Sequence, residues 1–251
     1  MGHRALIAYL RDDGLFDLRY SHWAAADLKL RNEISEETPL GGDYSEPAFV
    51  NALVASLSNA ADDDQTDITE IGGEATTPNE PTDVEAEPIE VGVTMHEIVN
   101  EHLDFLHHEA FYVVDRDWDV TAFRTLWFGM KYEVDQPADP DARRDHNEDA
   151  LEGDHGTVGN GAIVTVRWYD EEPVGDGTTK GRYRQLKSTV ADMIDRGFFG
   201  VEEGQQYMAR TVLDDIAQGH NSHEKQGELY FTDQYDFALF TVPPGPGFGS
   251  Q

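Results

Sequence analysis

Apolar positions follow three different rhythms along the chain, and each rhythm predicts an element. Ala5 to Leu10 is apolar on both faces, which suits a strand at the centre of a sheet. Arg11-Asp12-Asp13-Gly14 then supplies an Asp-Gly turn, and the residues after it alternate. Phe16, Leu18, Tyr20 and His22 fall on one face; Asp17, Arg19, Ser21 and Trp23 fall on the other. A hairpin over residues 4 to 23 follows. Val50, Leu53, Val54 and Leu57 recur at helical spacing behind Ser45-Glu46-Pro47, an N-cap with a first-turn proline, so a helix is predicted over 46 to 58. From Asn59 to Val93 the rhythm vanishes into an acidic stretch rich in Pro and Thr and poor in aromatics, which reads as an insertion.

Thr94-x-x-Glu97 is a capping box, and Met95, Ile98, Val99, His102 and Leu106 form one face of the helix it opens. A second hairpin is predicted from Ala110 to Val114 and Thr121 to Phe128 across Asp115 to Asp119. Asp135 to His155 forms a second acidic insertion, and Ala162 to Tyr169 another strand. Leu186, Val190, Met193 and Ile194 predict a helix ending near Gly197; Met208, Val212 and Ile216 predict one over 202 to 218. Phe237 to Val242 completes the strands, ahead of a loose tail over 243 to 251. The pattern specifies a single α+β domain over residues 1 to 242. Its sheet is mostly antiparallel, built from two hairpins and later strands and packed by about four helices, with acidic insertions at 59 to 93 and 135 to 157.

Charge changes this picture more than length does. The chain has 251 residues and 50 acidic against 18 basic side chains, a formal net charge of −32, and only Lys29, Lys131, Lys180, Lys187 and Lys225 are lysines. Such a surface repels itself in dilute buffer, whereas in molar salt the Debye length falls to about 3 Å and the repulsion is screened. The composition therefore points to a high-salt cytoplasm, and it excludes a broad basic face for nucleic acid. No apolar run approaches the roughly 18 to 20 residues of a membrane-spanning helix, and the opening apolar stretch is too short for a secretory leader. With no cysteine, disulfides, thiol nucleophiles and zinc–thiolate sites are absent.

Gly2-His3-Arg4-Ala5-Leu6, Leu18-Arg19-Tyr20-Ser21-His22-Trp23, the run from Glu101 to Val114, Arg124-Thr125-Leu126-Trp127-Phe128-Gly129 and Val158-Gly159-Asn160-Gly161-Ala162 carry a resemblance to an uncharacterised haloarchaeal protein family. The resemblance covers most of the chain outside the acidic insertions. It implies a halophilic origin and a single domain, and it brings no catalytic residues.

Among the ten histidines, His96-Glu97-Ile98-Val99-Asn100 falls one ligand short of a zinc-peptidase helix, because Asn100 stands where the second histidine belongs. His3, His22, His107, His108 and Glu109 could converge if the helix end meets the first hairpin. Imidazoles with a carboxylate suit general acid–base work, with His22, His107, His108 and Glu109 as catalytic candidates, or a divalent metal held by His3, His22, His107 and His108. The bland alternative makes His22 a strand residue and His107-His108 a helix C-terminal cap. His220-x-x-His223-Glu224 is a weaker metal candidate in a polar turn. Asp115-x-Asp117-x-Asp119 mimics an EF-hand start but has Val120 in place of its glycine and Leu126 in place of its glutamate, so a hairpin turn is the better reading. Lys180, Arg182, Arg184 and Lys187, beside Gly175 and Gly177 and ahead of a helix, form an anion-binding candidate whose bland counterpart is local neutralisation of the acidic field. An N-terminal nucleophile is excluded, since removal of Met1 leaves Gly2, and no G-x-S-x-G elbow is present.

No motif demands a cofactor, and the expectation is a halophilic accessory or binding protein acting through contacts with a protein partner. The alternatives are a hydrolase centred on histidine and carboxylate, with or without a metal, and an assembly protein of a haloarchaeal virus or mobile element. Substrate, partner and oligomeric state are not specified by these residues.

Overall fold

The computed structural model describes residues 3–42, 47–58, 83–130, 157–219, 229–232 and 235. The chain divides into two compact units, one of Met1–Ile98, His108–Thr125 and Thr165–Val174, the other of Val99–His107, Leu126–Val164 and Gly175–Gln251.

The first unit is built on a sheet. Strands β1 (Arg4–Leu10) and β2 (Phe16–Ser21) form the hairpin expected from the Asp-Gly turn, pairing Ala5 with Ser21 through Leu10 with Phe16. Strands β4 (His108–Val114) and β5 (Val120–Trp127) form the second hairpin. The two hairpins meet through β1 and β4, which run parallel with Ala5 opposite Ala110 and Tyr9 opposite Val114. The sheet is therefore mixed rather than mostly antiparallel. Parallel pairing needs a long crossover, and the chain between β2 and β4 supplies one. β3 (Glu90–Val93) adds to the outer side of β2, giving the order β3-β2-β1-β4-β5 in this unit. That strand, and the fully buried Val84, fall inside the stretch expected to be an insertion over 59 to 93; residues 59 to 82 of that stretch lie outside the described set.

The buried double-faced pattern of β1 matches its central position. Ala5, Ile7 and Tyr9 join Ala110, Tyr112 and Val114 on one face, beneath Leu28, Leu30, Leu53 and Leu57. Those covering residues come from the segment after β2, from the short helix α1 (Leu30–Glu33) and from α2 (Pro47–Ser58), which starts at the proline the sequence marked. Thr94 caps a helix as expected: its side chain accepts from Glu97 N–H while the Glu97 carboxylate accepts from Thr94 N–H. The helix it opens, α3 (Met95–Glu97), is only one turn and passes into a π-helical segment, Ile98–His102.

The strand expected over 162 to 169 is broken. β6 (Gly161–Thr165) ends before Val166, and β7 (Arg167–Tyr169) pairs instead with β8 (Glu172–Val174) across Asp170 and Glu171, both at positive φ. This two-residue hairpin lacks the Gly or Asn that usually marks such a turn, which is why its pattern was invisible.

In the second unit, α4 (Asp176–Asp195) ends in a Schellman motif. Gly197, at φ 76°, donates to Ile194 and Phe198 donates to Met193, as the glycine after the helix foretold. Val190 of α4 packs with Met208, Ala209 and Val212 of α5 (Val201–Gly219) around Leu126, Phe128 and Met130. β6 pairs antiparallel with β9 (Leu229–Phe231), which carried no sequence expectation. The described residues thus contain five α-helices rather than about four, two of them single turns. The expected strand over 237 to 242, the tail over 243 to 251 and residues 135 to 156 of the second insertion lie outside the described set; Thr157 is buried.

Candidate functional site

At the end of the sheet where β1 and β4 begin, strand alternation and a register shift bring together residues from both hairpins. The β1–β4 pairing steps from Arg4 opposite His108 to Ala5 opposite Ala110, leaving Glu109 as the extra residue. His3 Nδ1 consequently lies 3.3 Å from Glu109 Oε2, with the two side chains 49% and 43% exposed. Where β2 ends, Tyr20 hydroxyl and His22 Nδ1 are 3.2 Å apart, and the Tyr20 ring stands edge-on to His108 at 6.3 Å. Burial pushes the Tyr20 phenol up, and the charges of Arg4 and Glu85 act on it in opposite directions.

Trp23 follows β2 and is 54% exposed. His22 stands edge-on to its ring at 4.8 Å and His3 lies 6.4 Å away at a tilt of 53°. Behind this aromatic group the chain is tied down. Ser21 Oγ accepts from Ala24 N–H, Ala25 N–H donates to the His3 carbonyl at 2.8 Å, and Trp23 carbonyl accepts from Ala26. From the buried side, Tyr112 hydroxyl donates to the Ala24 carbonyl at 2.6 Å, and Arg124 Nη1 donates to the carbonyls of Ala25 and Glu109. Asp27 and Leu28 adopt φ of 54° and 56°, a conformation costly for side chains with a Cβ, yet Leu28 is fully buried and locked in the core. An exposed indole thus sits on a backbone tied on its buried side by hydrogen bonds from Tyr112 and Arg124.

Of the predicted site residues, His3, His22, His108 and Glu109 share this end of the first unit. His107 belongs to the second unit and is engaged by Asp104, whose Oδ2 lies 2.7 Å from His107 Nδ1 and whose Oδ1 accepts from the N–H groups of Leu106 and His107. Burial alone would push the Asp104 carboxyl up, but these bonds and the His107 charge outweigh it and hold the group below its ordinary value. Among the described residues no three His or carboxylate side chains are arranged to hold a metal ion. Asp115 serves its turn, its Oδ1 accepting from the N–H groups of Asp117 and Asp119. His220 and His223 lie outside the described residues.

The basic run is inside α4 rather than ahead of it, so the helix N-terminus, at Gly175, precedes the residues meant to use it. Lys180 Nζ lies 3.7 Å from Asp176, and Lys187 Nζ donates to the Trp127 carbonyl at 2.6 Å while standing 3.7 Å above the Trp127 ring. Tyr183 hydroxyl donates to the same carbonyl. Arg182 and Arg184 are exposed.

Sequence reasoning missed Tyr112 and Arg124, which position the Trp23 loop. Both lie in strands that the sequence predicted, but only the meeting of the two hairpins brings the Ala24 and Ala25 carbonyls within their reach. No curated protein and no solved structure matches the chain. A family model does, over residues 1–223. The chain therefore belongs to DUF6735, a family of unknown function.

Proposed function

We propose that the protein is an accessory binding protein of a haloarchaeal cytoplasm, acting through the Trp23 end of its first unit on a protein partner. One observation carries the reading: a half-exposed indole, flanked by His22 and His3, on a loop tied by Tyr112 and Arg124. A preorganised aromatic anchor loses little freedom on binding, and tryptophans of this kind dominate interface energies. The net charge of −32 with five lysines supports the high-salt setting, where screening leaves apolar and aromatic contacts as the main source of affinity.

The test is purification of the tag-free chain from its high-salt source, with mass spectrometry of what co-purifies. A stoichiometric protein that is retained by wild type and lost with Trp23→Ala and His22→Ala is the expected outcome. Retention of every partner by both variants sinks the proposal.

The 3.3 Å approach of His3 and Glu109 favours a second reading, a hydrolase in which this pair moves protons. Hydrolysis of ester or phosphoester substrates abolished by Glu109→Gln would favour it over the binding role.

A further inference from the structure

A pocket of about 70 Å³ opens at the other end of the first unit's sheet from Trp23. Strands β1 and β4 run parallel there, and the turns that follow them leave in opposite directions, to β2 on one side and to β5 on the other. Adjacent parallel strands that part in this way leave a crevice at their carboxyl ends. Leu10 of β1 and Val54 and Leu57 of α2 give it apolar sides. These walls are tied to one another. Asp12 N–H donates to the Leu57 carbonyl at 3.1 Å, and Arg116 Nη2 donates to the Arg11 and Asp12 carbonyls at 3.1 and 2.8 Å. Trp118 completes the lining from the turn between β4 and β5, edge-on to Tyr9 at 6.3 Å. Its φ of 63° is a left-handed conformation that glycine or asparagine adopts easily and an indole-bearing residue does not. Strain of that kind gathers at ligand sites, and here the turn holds a large aromatic side chain against the pocket in spite of it.

We propose that this pocket binds the head group of a small quaternary ammonium ion. Charge selects a cation. Asp12 and Asp115 both line the pocket, against the single charge of Arg116, whose Nε and Nη2 already serve the Arg11 and Asp12 carbonyls. An anion would meet two carboxylates on a chain of net charge −32. The walls then select among cations. A sodium or potassium ion loses hydration on entering and gains nothing from Leu10, Val54 and Leu57, whereas methyl groups on nitrogen pack against those side chains and draw attraction from the Trp118 ring. A quaternary nitrogen also carries no N–H, so apolar walls leave it no unmet hydrogen bond. Size sets the limit. The volume is about half of the roughly 150 Å³ that takes up benzene, so the pocket admits the methyl face of a head group while the rest of the ligand stays in water.

Tetramethylammonium chloride titrated into the full chain, replacing sodium chloride at constant ionic strength, tests this by NMR of labelled methyl groups and indole N–H groups. Saturable shifts are expected at the methyls of Leu10, Val54 and Leu57 and at the Trp118 indole. Tert-butyl alcohol, a neutral molecule of similar size, should produce no saturable shift there. Trp118→Leu keeps an apolar wall and removes the ring, so it should raise the dissociation constant about 5–30-fold. The absence of a saturable shift with the ion, an equal response to the alcohol, or an unchanged dissociation constant in Trp118→Leu overturns the proposal. Should Trp118→Leu not fold, the comparison of ion with alcohol on wild type decides alone.

Discussion

Tyr112→Phe removes a single oxygen and tests how the Trp23 loop is held. Tyr112 is fully buried, and its hydroxyl donates to the Ala24 carbonyl at 2.6 Å. Phenylalanine keeps the ring packing and leaves that carbonyl without its side-chain donor, which costs about 1–3 kcal/mol. For a chain of this size each kcal/mol moves the thermal midpoint by about 2–4 °C, so a fall of roughly 2–12 °C is expected. Urea titration should show a lower midpoint with an unchanged slope, and hydrogen exchange should quicken at the amides of Ala25 to Leu28. Tyr9→Phe is the matched control. It removes an equally short buried bond, to the Pro39 carbonyl at 2.6 Å, and should cost similar stability while leaving exchange in the Trp23 loop unchanged. A Tyr112→Phe protein within about 0.3 kcal/mol of wild type, with unaltered exchange in that loop, would refute the idea that this bond fixes the indole.

Asp104 gives a pH prediction with a definite sign. Its carboxyl is held low in the fold, so it stabilises above the unfolded value of about 3.9, and that contribution is lost as pH falls through the native value. Asp104→Asn should be less stable near neutrality and lose less on acidification, read from urea midpoints against pH. Gly159→Ala should destabilise by more than about 1 kcal/mol, because φ is 64° and an added methyl would overlap the Asn100 carbonyl oxygen. Gly181→Ala, inside α4 with open space around it, should instead stabilise by about 0.5–1 kcal/mol, and calorimetry of the two variants should show opposite shifts. Thr94→Ala removes the cap acceptor at Glu97 N–H and should cost about 1 kcal/mol in the same measurement.

The sequence by itself determined what neighbouring residues decide among themselves. The two hairpins, the Thr94 capping box, the Pro47 start of α2 and the glycine stop of α4 all rest on interactions spanning a few residues, so turn chemistry and periodicity expose them. The candidate site was legible as a list of residue types, and His3, His22, His108 and Glu109 do share one end of the sheet. What the sequence could not carry was the pairing of one hairpin with the other. His3 and Glu109 meet across 106 residues, and nothing in their local patterns says that β1 runs parallel to β4 with a shift at Arg4. The same limit explains Arg19. Alternation assigned Asp17, Arg19 and Ser21 to a polar face, and polarity reads as exposure until something covers it. The segment after β2 and the chain around Val84 fold over that face, so tertiary packing alone turned a surface arginine into a fully buried one. It also fixed the carbonyls that Tyr112 and Arg124 reach, and with them the hydrogen bonds that hold the segment after Trp23.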